Sequence, residues 1–80
     1  MSENISNNAL ILALLSLNGE IVIQKDYLES DDIPEDEIAE EEEVLDDLEQ
    51  AFMEFVDLYK ARAKADNSLP NLEELLSGEA

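Results

Sequence analysis

Hydrophobic residues occur along the chain in stretches that differ in their spacing. The first stretch, Ala9–Leu17, is apolar at nearly every position. A helix that is hydrophobic all round must be buried on most of its sides. We therefore predict a buried N-terminal helix over residues 9–17, which follows a frayed polar segment 1–8. A side chain of Ser6 or Asn8 can cap it by accepting a backbone N–H bond.

The second stretch, EIVIQ at residues 20–24, has three consecutive β-branched residues. Asn18 and Gly19, which precede it, both tolerate the left-handed conformation that ends many helices. The pattern therefore predicts a helix end at Asn18-Gly19 and a short β-strand at 20–24. Such a strand needs a pairing partner, either within the chain or across a subunit boundary. Residues 29–33 are predicted to form a linker.

The third stretch is the longest, because no glycine or further proline interrupts the chain between Pro34 and Ala65. Pro34 suits a first helical turn, and apolar residues then recur at intervals of three, four and seven. We predict one amphipathic helix over 34–65. It would be about 48 Å long, which exceeds the roughly 30 Å diameter of a compact chain of this size. A leucine-rich helical arm is predicted at 69–77.

These elements predict one mainly α domain with a buried N-terminal helix, a short β element, a long acidic amphipathic helix and a short C-terminal helix. An 80-residue chain buries only about 60% of its unfolded surface. It has no cysteine for disulfides, so we expect stabilisation by self-association into a homodimer or higher oligomer. The predicted oligomer interface consists of Leu10, Leu14, Leu17, Leu45, Leu48, Phe52, Phe55 and Tyr59.

Composition restricts the partners of the protein. The formal net charge is −18, with 22 acids against 4 bases. Nucleic acids and anionic membranes repel such a chain, whereas a basic protein surface attracts it. The apolar run from Ala9 to Leu15 is shorter than the ~20 residues that span a bilayer, and no basic segment precedes it. We expect no direct contact with nucleic acid or membrane, and a cytoplasmic location.

Composition also restricts the chemistry. The chain has neither histidine nor cysteine, so imidazole-assisted nucleophiles and zinc sites lack their usual side chains. The acids around Pro34 lack the alternating ligands and central glycine of a calcium-binding loop. We therefore predict no enzyme activity, no cofactor and no dedicated metal site.

The densest feature is the acidic segment, residues 35–49, with ten carboxylates and no base. On a helix about 24 Å long this gives roughly one charge per 2.4 Å, against about one per 1.7 Å of duplex DNA. The segment either imitates phosphate charge or is a solvated face that confers solubility. Under the first hypothesis the partner-binding residues are Glu35, Asp36, Glu40, Glu42, Glu43, Asp47 and Glu49.

The leading hypothesis is a small acidic protein that engages the basic surface of a nucleic-acid-binding protein, as a DNA mimic or inhibitor. Small acidic phage-encoded proteins offer an analogy in composition for this role. The alternative is a structural subunit that assembles with itself, such as a virion component or scaffold, in which the acids only maintain solubility. An antitoxin or chaperone that masks a partner shares the chemistry of the leading hypothesis.

Overall fold

The chain folds into a helical hairpin closed by a short third helix. The computed structural model describes residues 5–77. The helices are α1 (Asn7–Glu29), α2 (Ile38–Ala65) and α3 (Leu72–Ser77), and one turn of 3₁₀-helix, Glu35–Glu37, precedes α2. The prediction of a mainly α protein is confirmed. The molecule is elongated, with principal extents of 47 × 31 × 15 Å.

The predicted strand at 20–24 is wrong, as is the helix end at Asn18-Gly19, because α1 continues to Glu29. The physical reason is a second periodicity that the β-branched run obscures. Side chains spaced alternately by four and three residues lie on one face of α1 and turn towards α2. We call this set the hairpin seam: Leu10, Leu14, Leu17, Ile21, Gln24 and Leu28.

Local capping fixes both ends of α1. The Ser6 side chain accepts a 3.0 Å hydrogen bond from the Ala9 backbone N–H, so Ser6 rather than Asn8 is the cap. At the other end, the Ser30 backbone N–H donates to the Tyr27 carbonyl at 3.1 Å. The Ser30 hydroxyl donates to the same oxygen at 2.7 Å. Within the segment predicted to be frayed, Asn7 and Asn8 are helical, and residues 1–4 lie outside the described range.

The long acidic helix forms close to its predicted bounds of 34–65. Pro34 is extended, with φ −58° and ψ 141°, and its carbonyl accepts from the Glu37 backbone N–H at 2.9 Å. The α-helix itself runs without interruption from Ile38 to Ala65. Residues 30–34 connect it to α1, close to the predicted linker 29–33.

The core lies at the end of the hairpin away from the linker. Leu10 and Leu14 of α1 and Val56 and Tyr59 of α2 are buried there. Leucines of the C-terminal arm, which was predicted at 69–77, pack against this cluster: Leu69, Leu72 and Leu75. The third helix therefore covers the open end of the hairpin, and its α-helical part is shorter than predicted.

Three of the residues that were predicted to lie between subunits belong to the core of a single chain. Leu10, Leu14 and Tyr59 have exposures of 0%, 0% and 1% in a single chain. They are thus unable to contact another copy unless the hairpin opens, which corrects their assignment to an oligomer interface. The other members of that predicted set are partly buried: Leu17, Leu45, Leu48, Phe52 and Phe55.

Candidate functional site: an acidic end and an apolar outer face

Most of the predicted partner-binding carboxylates are exposed. Four of them form the acidic row: Asp36, Glu40, Glu43 and Asp47. Their spacing of four, three and four places them on the side of the acidic helix opposite the residues that pack on α1. Glu35 and Glu42 are also exposed, whereas Glu49 is partly buried. The structure therefore presents six of the seven predicted carboxylates to solvent.

Two acids of the segment have partners within the chain. Glu49 forms an ion pair with Lys25 of α1, with 3.6 Å between Nζ and Oε2. The Gln24 side-chain amide donates to the Glu41 backbone carbonyl at 2.9 Å and to its Oε1 at 2.8 Å. These contacts join the two helices near the linker. Glu49 therefore has a role inside the hairpin that its predicted partner-binding role did not include.

Charge is strongly polarised along the hairpin. Residues 26–49 contain 14 of the 22 acids and no base. Three of the four bases, Lys60, Arg62 and Lys64, lie near the opposite end, where the guanidinium of Arg62 donates to Asn7 Oδ1 at 3.1 Å. The linker end is thus a concentrated negative surface.

Helix dipoles explain only part of this distribution. Acids at the N-terminal end of α2 interact favourably with the positive end of its dipole. Asp26 and Glu29, however, lie at the C-terminal end of α1, where negative charge is unfavourable and where the last turn contains no base. Helix stability alone therefore does not account for the accumulation of acids at the linker.

The acidic segment has no enclosed cavity suited to a small molecule. Ala39, Glu40, Glu42, Glu43 and Asp46 border only a shallow surface depression. Within residues 5–77, no group of three or more His, Cys, Asp or Glu side chains is arranged to hold a metal ion. The arrangement suits multiple charge-assisted contacts with a broad basic surface.

A second surface was missed by sequence reasoning, because α1 was predicted to be buried on most sides. We define the outer face of α1 as Leu12, Leu15, Gly19, Val22 and Ile23, which lie opposite the hairpin seam. The four large side chains have exposures of 56%, 39%, 51% and 61%, in that order. The periodic signal was present in the sequence, since these positions also recur at intervals of three and four.

Gly19 is the unusual member of this outer face. A glycine inside a helix costs roughly 1 kcal/mol relative to alanine. A Cβ atom added at Gly19 would meet no other atom within 4 Å. Contacts within the chain therefore do not require a glycine at this position.

A groove also lies between the two long helices. Its floor is apolar, with Ile21 and Phe52, and Met53 is exposed beside it. Asn18, Lys25 and Glu49 supply its polar border. None of the residues that line the groove belongs to the outer face of α1.

The apolar run from Ala9 to Leu15 is part of the longer helix α1, so the length to compare with that of a membrane-spanning helix is that of α1. At 23 residues, α1 is long enough and apolar enough to cross a bilayer by these two criteria. Core helices of soluble proteins and signal sequences meet the same criteria. The expectation that the protein does not contact membranes therefore remains a prediction.

No family model, curated protein sequence or solved structure matches this chain.

Proposed function

We propose that this protein is a small acidic binding module whose linker end engages a basic surface on another protein. The natural target is a nucleic-acid-binding protein, whose phosphate-binding groove would accept the acidic row. The proposal assigns the protein a cytoplasmic location and no catalytic activity or cofactor.

One observation carries this proposal: 14 acids and no base occupy residues 26–49, and the acidic row within them is exposed. Like charges at this density repel one another, by about 0.2–0.5 kcal/mol for each i,i+4 pair on a helix. Cationic groups on a partner would relieve this repulsion and form charge-assisted hydrogen bonds. Electrostatic steering would also increase the association rate.

Affinity capture with quantitative mass spectrometry tests the proposal. The test variant replaces Asp36, Glu40, Glu43 and Asp47 with lysine. The control variant replaces four exposed acids elsewhere with lysine: Glu20, Glu54, Asp57 and Glu73. Both variants have a net charge of −10 instead of −18. Circular dichroism first verifies that both remain helical.

We expect the unmodified chain and the control variant to retain the same basic proteins, which are released as salt increases. The test variant should retain at least tenfold less of them. An equal loss of retention in the test and control variants would show that net charge alone determines capture, and full retention by the test variant would show that the acidic row does not contribute. The proposed site would then be incorrect.

The outer face of α1 favours a second candidate function, a self-associating structural subunit. An exposed apolar patch on a small soluble chain commonly marks an interaction surface. A large defined oligomer in light scattering, without capture of basic proteins, would support this candidate. An antitoxin or a chaperone that masks a partner is a form of the first candidate. Identification of the captured protein would distinguish these two roles from that of a DNA mimic.

A further inference from the structure

We propose that the outer face of α1 is the interface of an antiparallel homodimer in which two α1 helices cross at Gly19. This inference deepens the self-association part of the proposed function by naming its surface and geometry. It replaces the predicted interface, of which Leu10, Leu14 and Tyr59 are buried, with a surface that is accessible in the folded chain. It does not depend on binding of a basic protein.

The arrangement of apolar residues around Gly19 fits a two-fold axis. Leu15 lies four residues before Gly19, and Ile23 lies four residues after it. In an antiparallel pair centred on Gly19, Leu15 of each copy therefore lies opposite Ile23 of the other. A two-fold interface requires this self-complementarity, because the same patch is used by both copies.

Gly19 has a role in this arrangement that it lacks in the isolated chain. A side chain at residue 19 would project into open space in one chain, but it would lie between the two helices of the dimer. Glycine allows the backbones to approach closely at such a crossing. The dimer therefore gives a physical reason for a helix-interior glycine.

Charge favours the antiparallel orientation. A parallel pair would place two linker ends, each with many acids, beside each other. An antiparallel pair places each linker end next to the half of the partner α1 that precedes Glu20, which contains no charge from Asn7 to Gly19. It also brings the linker end to the same end of the assembly as the partner's basic residues. The acidic rows face away from α1 and remain on the outside.

The available area predicts a dimer of modest affinity. Four large side chains that are each about half exposed, together with the neighbouring Tyr27 at 39%, provide on the order of 300–400 Å² of apolar surface for each copy. Two such patches would bury roughly 600–800 Å² of apolar surface in total, which is below the roughly 1,000 Å² expected of a stable interface and typical of weak, transient contacts. We therefore expect a weak monomer–dimer equilibrium, with a dissociation constant on the order of 100 µM.

Analytical ultracentrifugation from about 1 µM to about 1 mM protein tests the interface. The variant Gly19→Lys adds a long polar side chain at the crossing point and reduces the net negative charge. The control Gln50→Lys makes the same change in charge at an exposed position on α2. We expect Gly19→Lys to weaken dimerisation at least tenfold and Gln50→Lys to weaken it less than twofold.

Disulfide trapping tests the orientation, since the natural chain has no cysteine. In an antiparallel dimer, a mixture of Leu12→Cys and Asp26→Cys chains should form a mixed disulfide, because residues 12 and 26 are equidistant from Gly19. Preferential linkage of Leu12→Cys chains to each other would indicate a parallel pair and overturn the proposed geometry.

Other occupants of the surface would also overturn the dimer. A chain that remains monomeric up to about 1 mM, or that sediments with phosphatidylcholine vesicles as a monomer, has a different use for the outer face. Dimerisation that persists in the Gly19→Lys variant would place the interface elsewhere. None of these results affects the capture experiment, so the failure of one proposal is distinguishable from the failure of the other.

Discussion

The hydroxyl of Tyr59 donates a 2.5 Å hydrogen bond to the backbone carbonyl of Pro70. Tyr59 is 1% exposed and belongs to the core between the long helices. Pro70 lies just before α3, so this bond attaches the C-terminal arm to the hairpin. Burial also raises the pKa of Tyr59 above the ordinary value of 10.0.

We predict that Tyr59→Phe lowers stability by about 1 kcal/mol, because it removes this hydrogen bond but retains the aromatic ring. For a chain of this size the melting temperature should fall by about 4–8 °C. Thermal unfolding followed by circular dichroism measures the change. Tyr27→Phe is the control, because Tyr27 is exposed and exposed substitutions change stability by less than about 0.5 kcal/mol. Equal effects of the two substitutions would contradict the role of the Pro70 bond.

A second prediction compares two leucines on opposite sides of α1. Leu14→Ala should reduce the free energy of unfolding by about 2–5 kcal/mol, because it leaves a cavity in the core. A loss of that size is a large fraction of the roughly 4–12 kcal/mol expected for a chain of 80 residues. Leu12→Ala changes an exposed side chain and should cost less than about 0.5 kcal/mol. Urea unfolding at low micromolar protein, where the monomer predominates, measures both, and similar losses would refute the assigned faces.

Residues 20–24 show which part of the fold was not predictable from local sequence preference. Ile21, Val22 and Ile23 favour strands by propensity, and Gly19 favours a break, but each preference amounts to about 1 kcal/mol or less. Ile21 is buried in the groove that Phe52 of α2 also lines, and burial of such a side chain contributes about 1.5–3 kcal/mol. Packing against α2 therefore outweighs the local preferences. The spacing of Leu14, Ile21 and Leu28 at intervals of seven contained the information.

The acidic helix was predictable because its signals agree with one another. Pro34 immediately precedes the first turn, acids follow it, and no glycine or further proline occurs before Asp66. The acidic row could likewise be placed opposite the packing face from spacing alone. The pairing of Glu41 with Gln24 and of Glu49 with Lys25 was not predictable, because it depends on the register of α1 against α2. A strand at residues 20–24 would interrupt α1, so the predicted elements did not define that register.

A third prediction concerns Gln24, a polar residue in the otherwise apolar hairpin seam. Its amide donates to both the carbonyl and the carboxylate of Glu41. Glu41→Ala removes the carboxylate acceptor and keeps the backbone carbonyl, so a double-mutant cycle with Gln24→Ala should give a coupling energy of about 0.5–1.5 kcal/mol for this part-exposed carboxylate bond. The exposed neighbour Glu42→Ala provides the control cycle, and its coupling should lie within about 0.3 kcal/mol of zero. Additive effects in the Glu41 cycle would show that the contact with the Glu41 carboxylate contributes nothing.

A fourth prediction follows from the turn after α2. The Ser68 backbone N–H and hydroxyl both donate to Asp66 Oδ1, at 3.0 Å and 2.6 Å. These bonds lower the pKa of Asp66 below its ordinary value, with the hydroxyl as the larger cause. The carboxylate thus stabilises the fold above the ordinary pKa of 3.8, and this contribution is lost as pH falls through the lowered pKa.

Replacement of Ser68 with alanine removes the hydroxyl donor and should raise the pKa of Asp66 towards its ordinary value. Carboxyl carbon chemical shifts in an NMR titration report this pKa directly. Ser77→Ala is the control, since the Ser77 hydroxyl donates to the Glu74 carbonyl instead. An unchanged Asp66 titration in the Ser68→Ala variant would assign the lowered pKa to another cause.

The fifth prediction concerns the effect of salt on stability. Charge repulsion at the linker end acts mainly in the folded state, where α1 and α2 bring residues 26–49 together. At about 0.05 M ionic strength these charges interact over more than 10 Å, whereas at about 0.5 M the range falls below about 5 Å. Sodium chloride should therefore raise the melting temperature, by about 4–8 °C if screening relieves about 1 kcal/mol.

The variant with lysine at Glu20, Glu54, Asp57 and Glu73 retains every acid of residues 26–49 and should show a similar increase. A falling melting temperature in the natural chain would mean that attractive pairs, such as Lys25 with Glu49, outweigh the repulsion. A large increase in the natural chain and none in that variant would mean that total charge, rather than its concentration near the linker, governs stability.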